Sequence, residues 1–554
     1  MSWSASPRRL ALASGVTALV LLVASCSSSG SGSAGSSSPS PASSAASQQP
    51  SDSQSGSASS SPASPGSATG GSSGSAPDSI TVAWTEAVAT LDPYRSTDNV
   101  TVWMDSLIGG QLVESDSAGK VSPGIAESWT TSSDNLTYTF KLRSDVTFSN
   151  GTPITSADVV DTYTHVMADK ANVRAGEVAA WKTVSATDPQ TFALTLSAPQ
   201  PSLLNILSQP EMSIFPKGSL DDPEKFFLNP VSAGEYAVKS YQPNGESITL
   251  ERNDHYYGPE PAIKTFIYKR VPDAATRIID LKSGSIDVAL DLPAAAVNQA
   301  DTPTTDAVAA KVYGNQWIWM NDRTGPLSEV NVRKAINLAV DREQINQLAF
   351  AGKTVPVGSI WPVTMSEHDI SGDLIPMKVD IAKAKQLLQG TKCQNGCTLE
   401  IMVRQGVPID QSSALVIKQN LAKIGITVNV VGVDTTTASQ NESAGTFQME
   451  AHKMTSNLDI PDNYLNLCCL STGGIHNLFS GWSSSEMDAA VKEVLSNGGQ
   501  ARTDAIKKID KIFADQLPYI PLVNYVIFAG VSKKVASWFE ITPGFVLDIK
   551  SAAK

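Results

Sequence analysis

Cysteine and histidine offer the most chemistry in this chain, and both are scarce, with five of each in 554 residues. Four cysteines fall in two close pairs, Cys393 with Cys397 and Cys468 with Cys469. Cys393-Gln-Asn-Gly-Cys397 brackets an Asn-Gly turn, which is expected to close a hairpin with a small disulfide loop across it. The adjacent Cys468 and Cys469 are read as a vicinal disulfide, with two buried thiols as the alternative. A metal site joining the two pairs lacks support, because about 70 residues separate them and no histidine stands at ligand spacing. His165, His255, His368, His452 and His476 are scattered, and none belongs to an H-E-x-x-H arrangement. Gly70-Gly71-Ser72-Ser73-Gly74 fits G-x-S-x-G on paper, but it has no strand before it and no helix after it to make a nucleophile elbow. Gly352-Lys353-Thr354 ends like a phosphate loop, yet Gln347 stands where the first glycine belongs. No catalytic set, metal site or cofactor is expected.

The fifth cysteine has a different setting. Arg8 and Arg9 precede an apolar stretch from Leu10 to Ala24, too short and too rich in small residues to span a membrane comfortably, which reads as a secretory signal. It ends in Val23-Ala24-Ser25-Cys26, which resembles the lipobox of bacterial lipoproteins. That resemblance implies cleavage before Cys26, acylation of its thiol, and a protein held on the extracytoplasmic face of the cell membrane. Residues 1–25 are thus a signal peptide. Residues 26–78 are almost entirely Ser, Gly, Ala and Pro, and cannot bury enough apolar surface to offset ordering. They are expected to form a flexible tether with an r.m.s. reach of about 40 Å. The net charge of -13 argues against nucleic acid as a partner, since that surface needs clustered Lys and Arg.

Structured elements begin near Ile80, where Ile80–Trp84 reads as a strand. Leu136–Leu142 alternates apolar and polar residues, as a half-buried strand does. Thr155 or Ser156, followed by Asp158, marks a helix start. Val332, Ala335, Ile336, Ala339 and Val340 share a helical face, and Asp341 caps a second helix that stops at Gly352. A helix from Asp380 follows, then a strand with Leu399, Ile401 and Val403 on one side. Next come a helix from about Ser412 to Ile424 and a strand with Ile426, Val428 and Val430. This alternation implies an α/β sheet. Ile506, Ile509, Ile512 and Phe513 mark one more amphipathic helix.

The run from Pro123 to Val160, PGIAESWTTSSDNLTYTFKLRSDVTFSNGTPITSADVV, resembles the signature of the family 5 extracellular solute-binding proteins. Four other segments agree in order: Leu91-Asp92-Pro93, Gly234–Gly258, Val330–Ile345 and Pro518–Tyr525. The resemblance implies a two-lobed α/β architecture, the type II periplasmic-binding-protein fold, with an extra subdomain on the first lobe. It places lobe 1 at 79–315, lobe 2 at 316–520, and a return to lobe 1 at 521–554, with crossings near Asn315-Gln316 and Pro521-Leu522. It also implies a monomer that encloses a small solute, by default a peptide, and presents it to the permease of an ABC importer.

On that resemblance, the cleft candidates are Thr97, Asp98 and Asn99 at its edge, Trp317, Trp319 and Asn321 at the entry to lobe 2, and Trp361 in a later loop. Peptide binders of the family carry Trp-x-x-Asp, whose aspartate pairs with the peptide ammonium. Here Met454 replaces the tryptophan and Asn457 the aspartate, with Asp459 two residues on. An amide accepts a hydrogen bond from an ammonium but does not neutralise it, so the replacement weakens the case for a peptide.

Overall fold

The computed structural model describes residues 75–95, 98–116, 119–456, 458–471, 480–544 and 547–551. The signal peptide, Cys26, most of the tether, Thr97, Asn457 and His476 lie outside the described residues.

Sixteen strands form the three sheets that frame the site. In chain order they are β1 (Ser79–Trp84), β2 (Val113–Ser115), β3 (Val121–Pro123), β4 (Ala126–Thr131), β5 (Thr137–Leu142), β6 (Trp181–Asp188), β7 (Thr191–Leu196), β8 (Tyr236–Ser240), β9 (Ser247–Arg252), β10 (Thr265–Arg270), β11 (Val288–Ala289), β12 (Thr305–Met320), β13 (Cys397–Arg404), β14 (Ile426–Val433), β15 (Met449–Thr455) and β16 (Ile520–Ser532). Ten of them form one sheet in the order β14-β13-β15-β12-β16-β11-β1-β10-β9-β8. β1 lies between β10 and β11, parallel to both, and is buried on both faces from Ile80 on, which is why only Thr81 interrupts its apolar residues there. β5 alternates as its sequence predicts and lies in a separate four-stranded sheet, β4-β5-β7-β6. That sheet is separate from the ten-stranded one.

Several helices start where side chains satisfy their free N–H groups. Asp158 accepts the backbone N–H of Thr155 at 2.8 Å at the start of the helix Ser156–Ala168. Asp341 accepts from Gln344 at 3.0 Å and Asp380 from Lys383 at 2.8 Å. The predicted helix near Ser412 starts earlier, at Pro408, because proline at the first turn has no N–H to leave unpaired. It ends before Gly425, whose φ of +85° turns the chain into β14. One expectation fails. The Asn-Gly turn at Cys393–Cys397 does not close a hairpin, because the chain enters it from the helix Ile381–Leu387 and leaves it on β13, which is parallel to β14.

The two halves of the large sheet share its long central strands. β12 pairs with β16 over most of its length, and the ladder slips between Lys311 and Asn315, where three residues of β12 face one of β16. The slip is held in place: Asn524 Nδ2 donates to Val312 O at 3.2 Å and Thr364 Oγ1 donates to the same carbonyl at 2.8 Å. Gly314 sits inside it, and a Cβ there would lie 2.7 Å from the Met454 carbonyl, so no larger residue fits without displacement. β11, β1, β10, β9 and β8 extend the first lobe from one side of this pair. β15, β13 and β14 extend the second lobe from the other.

Candidate functional site

In open α/β sheets, ligands collect at the carboxyl ends of strands, where side chains from several strands converge. Trp84 ends β1, and Thr85 and Glu86 follow it. Asp291 follows β11, and Arg404 ends β13. These groups face one another across the two lobes. The Nζ of Lys453, on β15 of the second lobe, lies 5.6 Å from the centroid of the Trp84 ring of the first lobe and 5.3 Å from that of Tyr525 on β16. A Cβ on Gly406, just past β13, would lie 3.6 Å from Thr85 Oγ1. At a second rim, a Cβ on Gly119 would lie 3.6 Å from Ile460. The lobes are apposed over a largely polar seam.

The first-lobe wall is built on buried support. Trp84 stacks at 4.7 Å on Trp103 of the helix Asn99–Ile108. Asp291 has φ +53°, a conformation uncommon for a residue with a side chain and best tolerated by Asn and Asp. The buried Arg277 holds that turn, donating to the carbonyls of Val271 at 2.6 Å, Pro272 at 3.0 Å and Asp291 at 2.9 Å. Burial pushes the Glu86 carboxyl up to about 7; Lys453 and Arg404 oppose the shift, while Asp98 and Asp291 reinforce it.

The second-lobe wall is a connected polar network. Asp410, in the first turn of the helix Pro408–Ala422, accepts from Gln316 Nε2 at 3.0 Å and lies 2.9 Å from His452 Nδ1. Ser413 Oγ donates to Gln316 Oε1 at 2.8 Å. Burial pushes Asp410 up to about 7 against the pull of Lys453, Arg404 and Gln316. Burial, together with the neighbouring Arg404 and Lys453, holds the His452 ring well below its ordinary 6.5. The ring is neutral near pH 7, so its contact with Asp410 is a hydrogen bond and not an ion pair. Arg404 is gripped by Glu442 at 2.6 Å and Glu450 at 3.2 Å. Burial raises Glu450, Arg404 opposes the rise, and Glu442 adds to it.

Several sequence-predicted site residues lie elsewhere. Trp317 and Trp319 are fully buried against Tyr519, at 5.5 and 4.6 Å between ring centroids, and Trp317 also meets Phe513. Trp361 donates its indole N–H to Asp510 at 2.8 Å and packs on Tyr464. Asn321 donates to the carbonyls of Gly445 at 2.9 Å and Phe447 at 2.8 Å. All these partners lie between residues 445 and 519, and the three tryptophans and Asn321 are buried among them. Large aromatic surface gains most from complete burial, and the amide closes a loop. Met454 is buried on β15 opposite Asn315. Asp459 accepts the N–H of Ser366 at 2.9 Å beside the Gly119 rim. Asp98 is exposed just before its helix, with its charge felt at Glu86; Asn99 is half-buried in the first turn. Cys393 is bonded to Cys397 and Cys468 to Cys469.

Glu86, Asp291, Arg404, Asp410 and Lys453 are absent from the sequence-based candidates. The readable signal was position: charged residues within two places of the carboxyl end of a buried apolar strand, as in Trp84-Thr85-Glu86 and Val403-Arg404.

The model of the bacterial extracellular solute-binding proteins, family 5 (middle region), matches residues 120–475. The nickel-binding periplasmic protein of Escherichia coli K12 is 25% identical over 484 residues, covering 83% of this chain and 91% of that protein. Heme-binding protein A of Haemophilus influenzae is 25% identical over 455 residues, covering 77% and 83%. The dipeptide-binding protein of Pseudoalteromonas sp. SM9913, solved with Met-Leu, superposes with a TM-score of 0.77 at 20% identity, covering 85% of this chain and 98% of that one. The fold is therefore the two-lobed type II periplasmic-binding-protein architecture. Strands from both lobes converging on one polar seam, and a family match over most of the chain, give one conclusion: the chain belongs to the family 5 bacterial extracellular solute-binding proteins.

Proposed function

We propose that this protein captures a small solute between its lobes and delivers it to the permease of an ABC importer, catalysing nothing itself. The observation that carries this reading is the apposition of Lys453 from one lobe with Trp84 of the other, over carboxylates drawn from both. Such a seam gives a solute oriented charges and aromatic faces in a site from which closure expels water. In this reading the first lobe comprises residues 79–315 and 521–554, the second comprises 316–520, and the slip in the β12–β16 ladder is where they hinge. Acylated Cys26 and the Ser/Gly tether keep a monomer at the outer face of the membrane.

The family default of a peptide remains the favoured cargo. A non-peptide solute is the second reading, supported by the replacement of the ammonium-pairing aspartate by Asn457 and by relatives named for nickel and heme. Native mass spectrometry of the protein purified from its own host tests the proposal, with small-angle scattering before and after denaturing removal of the retained solute and refolding. A retained small molecule whose return contracts the particle is the expected result. A protein that retains nothing and stays the same size in host extract would overturn it.

A further inference from the structure

The ammonium of Lys453 is the one cation from the second lobe seen against an aromatic face of the first among the described residues. Trp84, backed by Trp103, and Tyr525 present two π faces to it at 5.6 and 5.3 Å. The acids around it come from four places in the chain. Glu86 feels Lys453 more strongly than any other charge, and also feels Asp98 and Asp291. Asp410 feels Lys453 from the second-lobe side, and the Tyr525 hydroxyl senses Asp291, Asp410 and Glu86 together. Arg404, the other cation felt at Glu86, is already gripped by Glu442 and Glu450, and His452 is neutral. Two aromatic faces with surrounding carboxylates attract an organic cation, the more so when water is excluded.

Resting on the reading of this seam as the solute site, we propose that Trp84, Tyr525 and Glu86 form a cation subsite, that Lys453 is its internal occupant in this structure, and that the transported solute carries an ammonium or guanidinium group which displaces it. Lys453 then sets specificity. A neutral or anionic solute has no means of competing with a tethered ammonium for that cage, whereas a solute cation replaces it charge for charge. The cage thus demands a cation from the solute through the first-lobe wall, separately from any contact made at Asn457.

The test titrates the full chain with tetramethylammonium, methylguanidinium and, as an anion of similar size, methanesulfonate, following the tryptophan fluorescence that Trp84 contributes. Lys453→Met keeps the length of the side chain and removes its charge. It should bind at least one of the two cations tenfold or more tightly than the wild type does, and methanesulfonate no more tightly. Adding Glu86→Gln should abolish that gain. Equal cation affinity in the wild type and Lys453→Met would overturn the proposal, as would a gain that survives Glu86→Gln. The solute retained from the host separates the two levels. An uncharged or anionic retained solute refutes the cation subsite and leaves the solute-binding reading intact; retention of nothing, with no contraction in host extract, refutes that reading itself.

Discussion

The Nδ1 of His452 lies 2.9 Å from the Oδ2 of Asp410, a hydrogen bond between a neutral ring and a carboxyl that burial holds near half-protonation at pH 7. The two groups titrate in opposite senses. Unfolded, the carboxyl loses its proton near 3.8, while folded it keeps it to about 7, so its contribution to stability is lost as pH rises through that window. The His452 ring is depressed, so its contribution is lost as pH falls below about 6.5. Asp410→Asn should flatten the fall in stability between pH 4 and 7, by up to about 1.4 kcal/mol per pH unit. Urea melts of both proteins at half-unit intervals measure the difference, and parallel profiles would show that Asp410 ionises normally.

Trp361→Phe separates core from cleft. It removes the indole N–H that Asp510 accepts, leaving a buried carboxyl short of a partner, and should cost about 1–3 kcal/mol in denaturant unfolding. Affinity for the retained solute should stay within twofold by calorimetry. A large loss of affinity with little loss of stability would return Trp361 to the cleft.

Arg277→Met strips three carbonyls of one guanidinium and releases the turn that carries Asp291. Stability should fall by about 3 kcal/mol, in the range for breaking a buried charged network, and solute affinity should fall with it. Asp291→Asn tolerates the positive φ while removing the charge, so it should lose affinity with stability nearly unchanged. Equal loss of stability in both variants would mean that the carboxylate itself holds the turn.

All four cysteines of the globular body are paired, so thiol titration of the denatured, non-reduced mature protein should find none free. Replacing Cys393 and Cys397 together by serine opens a five-residue loop and should cost about 2 kcal/mol on the chain-entropy scale. More than one free thiol in the mature protein would contradict the pairing, since Cys26 can account for one.

If Asn457 stands where peptide binders place their aspartate, Asn457→Asp should raise affinity for free-amine dipeptides at least tenfold by calorimetry. Unchanged affinity would remove Asn457 from the amine-anchoring role.

The features the sequence disclosed and those it concealed divide along physical lines. Periodicity and caps are local, so β5, the β13–helix–β14 unit, the capping Asp341 and the helix start at Asp380 were legible. An Asn-Gly pair encodes a turn but not the partner of the strand beyond it, and at Cys393–Cys397 the turn joins a helix to a parallel strand. The tryptophans were ambiguous because an indole suits a ligand face and a core equally well, and their packing on Tyr519, Asp510 and Tyr464 is not written in the sequence. The seam itself was illegible. Glu86, Asp291, Arg404 and Lys453 lie on or just past four strands spread over most of the globular body, and no short motif spans that distance.

The join between the lobes is a pair of antiparallel strands, β12 and β16, with a pinned slip and a glycine where a side chain would not fit. A loop hinge swings freely and stops only at collision. A hydrogen-bonded ribbon instead flexes like a leaf spring: it stores work as it bends and has a preferred angle. If the lobes hinge here as proposed, the interrupted ladder between Lys311 and Asn315 is where the ribbon bends, and the Asn524 amide that pins Val312 O resists that bending.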